Sequence, residues 1–85
     1  MIKPIDEVIE ALRADGITVT ERSERAGGYR VIDFSDGDLR GIFEESGYFT
    51  FERQGGGLLW SFGQQANVDP EIRQRFKEKF FKKSF

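Results

Sequence analysis

Five carboxylates crowd one short stretch of the chain, at Asp33, Asp36, Asp38, Glu44 and Glu45. Paired carboxylates can serve as general acid and base, and carboxylates at suitable intervals hold calcium. Asp33, Ser35 and Glu44 fall at positions 1, 3 and 12 of a calcium loop, but Gly37 takes the fifth position and Asp38 the sixth, where glycine is required. Asp36-Gly37 is better explained as a hairpin turn, because both central positions of the favoured two-residue loop take positive φ. The stretch therefore reads as an acidic surface turn. Histidine and cysteine are absent, which removes the commonest general base, the thiol nucleophile, thiolate metal sites and any disulfide. No catalytic residue, metal ligand or cofactor-binding residue is assigned, and the chain is read as a protein that is not an enzyme.

Two other stretches invite a chemical reading and lose it. Gly55-Gly56-Gly57 is followed by neither the Lys-Ser/Thr pair nor the helix start of a phosphate loop, and reads as a flexible turn. Ser46-Gly47-Tyr48-Phe49-Thr50-Phe51 places aromatics as an RNA-binding strand does, but the leading basic residue is missing and the strand order is wrong for that fold. The formal net charge of −2 also argues against non-specific attraction to nucleic acid. Charge is unevenly spread, however. From Asp69 onward there are six Lys/Arg against three Asp/Glu, and residues 1–68 carry the remaining seven against twelve, so an acidic body carries a basic tail. No apolar run approaches the length of a membrane span, and Met1–Leu12 lacks the layout of a signal peptide, so a cytoplasmic protein is expected.

The elements that must position these residues follow from periodicity. Eighty-five residues make one domain, 1–85, able to bury roughly 60–65% of its unfolded surface. Ile5, Val8, Ile9 and Leu12 recur at helical spacing, with Pro4 at the start, Asp6 and Glu7 in the first turn and Gly16 as the stop, which predicts a helix over 4–15. Asp69-Pro70 starts a second over 70–83, with a stripe of Ile72, Phe76 and Phe80. Between them, turn residues separate segments rich in Val, Ile, Phe, Thr and Tyr, giving strands at 17–22, 29–35, 38–44, 48–53 and 58–63. The expected fold is a two-layer α+β domain, an antiparallel meander of five strands with both helices on one face.

Register follows from turn parity, since a one-residue slip sends every side chain to the other face. An Asp36-Gly37 turn pairs Phe34 with Leu39, Val31 with Ile42 and Asp33 with Arg40. A three-residue Glu45–Gly47 loop pairs Phe43 with Phe49 and Gly41 with Phe51, a Gln54–Gly57 loop pairs Phe51 with Trp60, and a Glu24–Gly27 loop pairs Val19 with Ile32. One face then gathers Ile17, Val19, Ile32, Phe34, Leu39, Phe43, Phe49, Phe51, Leu58, Trp60 and Phe62. The other is polar apart from a small patch of Val31 and Ile42 bordered by Tyr29, Tyr48 and Leu59, a candidate contact surface. The edge Gly57–Gly63 carries no charge and needs covering, by a helix, a second subunit or a target chain.

The tail leaves apolar surface to spare. On a helix continued past Phe80, Phe81 and Phe85 point away from the Ile72–Phe76–Phe80 stripe. Three readings compete: the helix unwinds near Phe80 and its end folds back, the two rings anchor a partner protein from within a ring of Lys77, Lys82 and Lys83, or the same lysines meet an anionic surface. Taken together, these features suggest a non-enzymatic protein-binding module acting by surface occupation, as inhibitor, regulator or adaptor and as a homodimer. Phe81, Phe85, Lys77, Lys82 and Lys83 form one contact region, with Leu59 and Trp60 as a second. A nucleic-acid-binding domain using the basic helix is the alternative, and a small-ligand domain is third. Small acidic domains of this profile are common among regulators, antitoxins and inhibitors of phages and mobile elements, an analogy of composition alone.

Overall fold

The computed structural model describes residues 1–64 and 67–82. Lys83 and Phe85 lie outside the described residues. Helix α1 (Ile5–Ala14) is followed by strands β1 (Thr18–Glu21), β2 (Val31–Asp36), β3 (Leu39–Glu44), β4 (Phe49–Arg53) and β5 (Gly57–Ser61), then helix α2 (Pro70–Phe80). The strands form one antiparallel sheet in the order β1-β2-β3-β4-β5, the expected five-strand meander. Both helices contribute to the single aromatic core, Ile5, Val8 and Leu12 from α1 and Ile72, Phe76 and Phe80 from α2. Among the described residues no helix is long and apolar enough to cross a membrane.

Each helix begins as its sequence dictates. Pro4 precedes α1, its carbonyl accepting from the N–H groups of Glu7 and Val8, and Asp6 and Glu7 lie at the positive end of the helix dipole. Gly16 stops that helix at φ 77°, where a Cβ would be strained. The α2 start is capped by Asp69, whose Oδ1 accepts from Glu71 N at 2.9 Å and Ile72 N at 3.1 Å, with Pro70 in the first turn.

The β3–β4 register matches the one that turn parity dictates, with Phe43 across from Phe49 and Gly41 across from Phe51. Two other pairings differ by two residues. Asp36 pairs with Leu39 and Phe34 with Gly41, so the hairpin loop is Gly37-Asp38 and not Asp36-Gly37. Only Gly37 takes positive φ there, at 62°, so the left-handed place falls on the residue without a Cβ. Asp36 stays in the strand and reaches α2. Val31 consequently faces Glu44 and Ile42 faces Asp33, and the expected Val31–Ile42 and Asp33–Arg40 pairs do not form.

On the other side of β2, Val19 pairs with Phe34 instead of Ile32. Gly27 and Gly28, at φ 56° and 86°, make their own tight turn, closed by Tyr29 N–H donating to Ala26 C=O, and so lengthen the connection. Tyr29 thereby precedes the strand. Both slips are even, so the buried set survives them.

The β4–β5 pair holds a bulge. Phe51 faces Trp60 as expected, but Glu52 then faces Leu58, leaving Leu59 as the extra residue. Leu58 therefore leaves the core face and is 54% exposed, whereas Leu59 packs against the core. Phe62 is the second correction to the expected core: it lies past the end of β5 and is 61% exposed.

A candidate aromatic cleft beside the second helix

The helix α2 ends at Phe80, and Phe81 is extended at φ −115°, ψ 139°. Ile2 and Phe81 form an isolated antiparallel bridge, with Lys3 N–H donating to Phe80 C=O at 2.7 Å and Lys82 N–H to Met1 C=O at 2.8 Å. Had the helix continued, Phe81 would have lain about 140° from Phe76 on its outer side. Leaving the helix turns the ring back over the sheet, 5.8 Å from Phe49 and 5.9 Å from Trp60 between ring centroids. Of the three readings of the tail, the fold-back is thus the arrangement observed for Phe81, which is half-buried.

Phe81 forms one wall of a cleft of about 440 Å³ whose other apolar walls are Phe49, Trp60 and Phe62. Phe49 is held edge-on to Trp60 at 4.8 Å and faces Phe62 at 6.5 Å, with Phe62 N–H donating to Phe49 C=O. The polar lining consists of Gln64, Arg73 and Lys77. Arg73 and Lys77 are one helical turn apart and so share a side of α2. Among the described residues no carboxylate lies in this lining, and no histidine or cysteine exists in the chain, so what it offers is apolar contact and positive charge.

Three of the expected contact residues, Trp60, Lys77 and Phe81, are thus brought into one place. Lys82 is exposed beside the Met1–Lys3 strap and outside the cleft lining. Leu59 lies under the same edge of the sheet, where its C=O accepts from Asp69 N–H at 3.1 Å, and Ser61 C=O accepts from Gln64 N–H at 3.0 Å. The chain leading into α2 therefore takes up acceptors along the uncharged edge. Sequence reasoning misses Phe62, which parity assigns to the core, and Arg73. The signal for Arg73 is its spacing, since 73, 77 and 81 recur at intervals of four.

The open sheet face is less promising. Tyr29 and Tyr48 are 47% and 41% exposed, but Val31 between the strands is buried and Ile42 half-buried, so the patch presents two separate rings. The acidic residues are dispersed among partners. Asp33 takes both Nε and Nη2 of Arg22 at 2.7 Å, Asp38 lies 3.7 Å from Arg53, and Glu45 accepts from Arg30 N–H. Glu21 and Arg30 pair at 2.6 Å, joined by Asp6 of α1. Among the described residues no cluster of three carboxylates could hold a metal ion.

One ion group fixes α2 in place. Arg75 donates to Asp15 at 2.8 Å and to Asp36 at 2.7 Å, and Lys79 lies 3.4 Å from Asp15. The Arg75 hydrogen bond, with Lys79 nearby, holds the Asp15 carboxyl below its ordinary value of 3.8. A depressed carboxyl contributes stability that is present above the unfolded value and lost as pH falls through the folded one. Asp15→Asn should therefore remove part of the stability that the wild type loses as pH falls below the ordinary carboxyl value of 3.8, so its unfolding midpoint varies less with pH there. Thermal melts followed by circular dichroism across the acid range measure this, and parallel wild-type and variant curves would refute it.

Comparison with protein families, with characterised proteins and with solved structures found no match to this chain.

Proposed function

We propose that this protein is a non-enzymatic protein-binding module, acting as an inhibitor, regulator or adaptor, whose cleft receives a side chain of its partner. The observation that carries the reading is the cleft itself, four aromatic side chains meeting beside two cations at the sheet edge. Aromatic pockets with a charged border are where binding energy concentrates in protein interfaces. Phe62, 61% exposed on the border, is the residue an arriving side chain meets first.

The sense of recognition is the reverse of a projecting tail anchor. Phe81 is a wall of the cleft and not a free knob, so the partner supplies the inserted group. Phe62→Ala should leave stability within about 0.5 kcal/mol, as an exposed position allows, yet weaken partner binding by roughly thirty-fold, the size of an interface hot spot. Trp60 is the only tryptophan and lines the cleft, so its fluorescence reports occupancy directly. Unchanged affinity in a stably folded Phe62→Ala protein would move the site elsewhere.

A small-ligand reading is supported by the cleft volume of about 440 Å³, within the roughly 300–1,000 Å³ typical of such sites. Thermal-shift screening with aromatic carboxylates separates it from the protein reading. Nucleic-acid binding draws less support, because Arg75 and Lys79 are already engaged by Asp15 and Asp36. A homodimer formed through the same cleft would make the partner a second copy.

A further inference from the structure

We infer that the segment received by the cleft is acidic, with carboxylates flanking one aromatic or large aliphatic anchor. The inference rests on the protein-binding reading above and specifies its ligand. Its basis is the division of charge on α2. On one side, Arg75 and Lys79 are neutralised by Asp15 and Asp36 of the protein's own body. On the cleft side, among the described residues, neither Arg73 nor Lys77 makes a side-chain hydrogen bond or ion pair, and both line the cavity. Like charges four residues apart on a helix repel, and carboxylates placed between them relieve that repulsion. A partner carboxylate gains further from the apolar walls, because Phe81 and Phe62 displace water from around the ion pair.

The backbone settles how such a segment lies. Leu59 C=O and Ser61 C=O on the outer edge of β5 already accept from Asp69 and Gln64. Pairing by strand addition would have to displace both bonds, so recognition proceeds through side chains. The molecule carries a net charge of −2 overall, and Arg73 and Lys77 are the cations that line the cleft, so an acidic segment is drawn to the cleft by them. The charge thus selects both the partner chemistry and the place of docking.

The test is selection of a displayed random peptide library on the full chain, followed by titration of single peptides with Trp60 fluorescence. The expected result is enrichment of one aromatic or large aliphatic residue flanked by Asp or Glu. Replacing those acids by Asn and Gln should weaken binding about tenfold or more, Lys77→Glu should do the same, and Lys77→Arg should retain it. Lys77 is exposed, so these variants fold. Peptides that require Phe62 but show no acidic preference would overturn the inference while leaving the cleft as the site. Peptides indifferent to Phe62→Ala would overturn both. Tight, Phe62-dependent binding of oligothymidine, or a dimer dissolved by Phe62→Ala, would replace the acidic segment with a nucleic acid or a second copy.

Discussion

Phe80→Ala should lower the free energy of unfolding by about 3–5 kcal/mol. The side chain is completely buried, and its ring lies within 6 Å of Phe34, Phe43, Phe49 and Phe51. Truncation loses the burial of the ring and leaves a cavity, and the strands on either side of that cavity are fixed by ladder hydrogen bonds and cannot collapse into it. A chain of this length has about 5–15 kcal/mol of net stability, so the loss takes from about a fifth to all of it. The melting temperature should fall by about 15 °C or more. Urea denaturation of the two proteins decides it. A loss below about 1 kcal/mol would mean that α2 does not close the core as described.

Gly41→Ala should cost about 2–3 kcal/mol, the upper range for overpacking. Propensity alone points the other way, since alanine in a strand gains roughly 0.5–1 kcal/mol over glycine. Sterics should win, because a Cβ at Gly41 would overlap the ring of Phe34 and come within 2.5 Å of the Thr50 carbonyl oxygen. The ring can shift, but the carbonyl belongs to the backbone of β4 and cannot. Gly41 sits between Phe34 and Phe51 in the middle strand, so glycine is there for space and not for an unusual φ. Phe34→Leu should recover part of the loss, and a double-mutant cycle by chemical denaturation would measure the coupling. A stabilised Gly41→Ala protein would show that the strands separate easily at their centre.

The sheet and its buried face are legible in the sequence because the phenylalanines constrain parity. Phe43, Phe49 and Phe51 share the buried face when the β3–β4 loop has three residues and are split between faces when it has two, and the three-residue register is the one observed. Parity is blind to a slip of two, which is why it permits a β2–β3 turn one residue too early. Deciding it requires weighing one positive φ at Gly37 against two at Asp36 and Gly37. The bulge at Leu59 has no comparable signal, because Leu58 and Leu59 are equally apolar and either could face inward. At the tail, helical periodicity runs on past the true end of α2. The competing influence is the distant residue Ile2, whose bridge to Phe81 no local pattern reveals.

Candidate contact residues are accordingly legible as types but not as a place. Trp60, Lys77 and Phe81 stand out in the sequence for different reasons and belong to one cleft. What joins them is the end of a helix, a feature controlled by contacts with the opposite end of the chain.

The meander also has a temporal consequence. Strands β1 to β5 are complete by Ser61, but Phe76 and Phe80, both fully buried, arrive only with α2. A sheet formed before α2 docks would leave Phe43, Phe49 and Phe51 uncovered by the helix that seals them. A growing chain in that state offers an adhesive aromatic surface to its neighbours. What covers that surface is the docking of α2, which places Phe76 and Phe80 against the sheet and Arg75 beside Asp15 and Asp36.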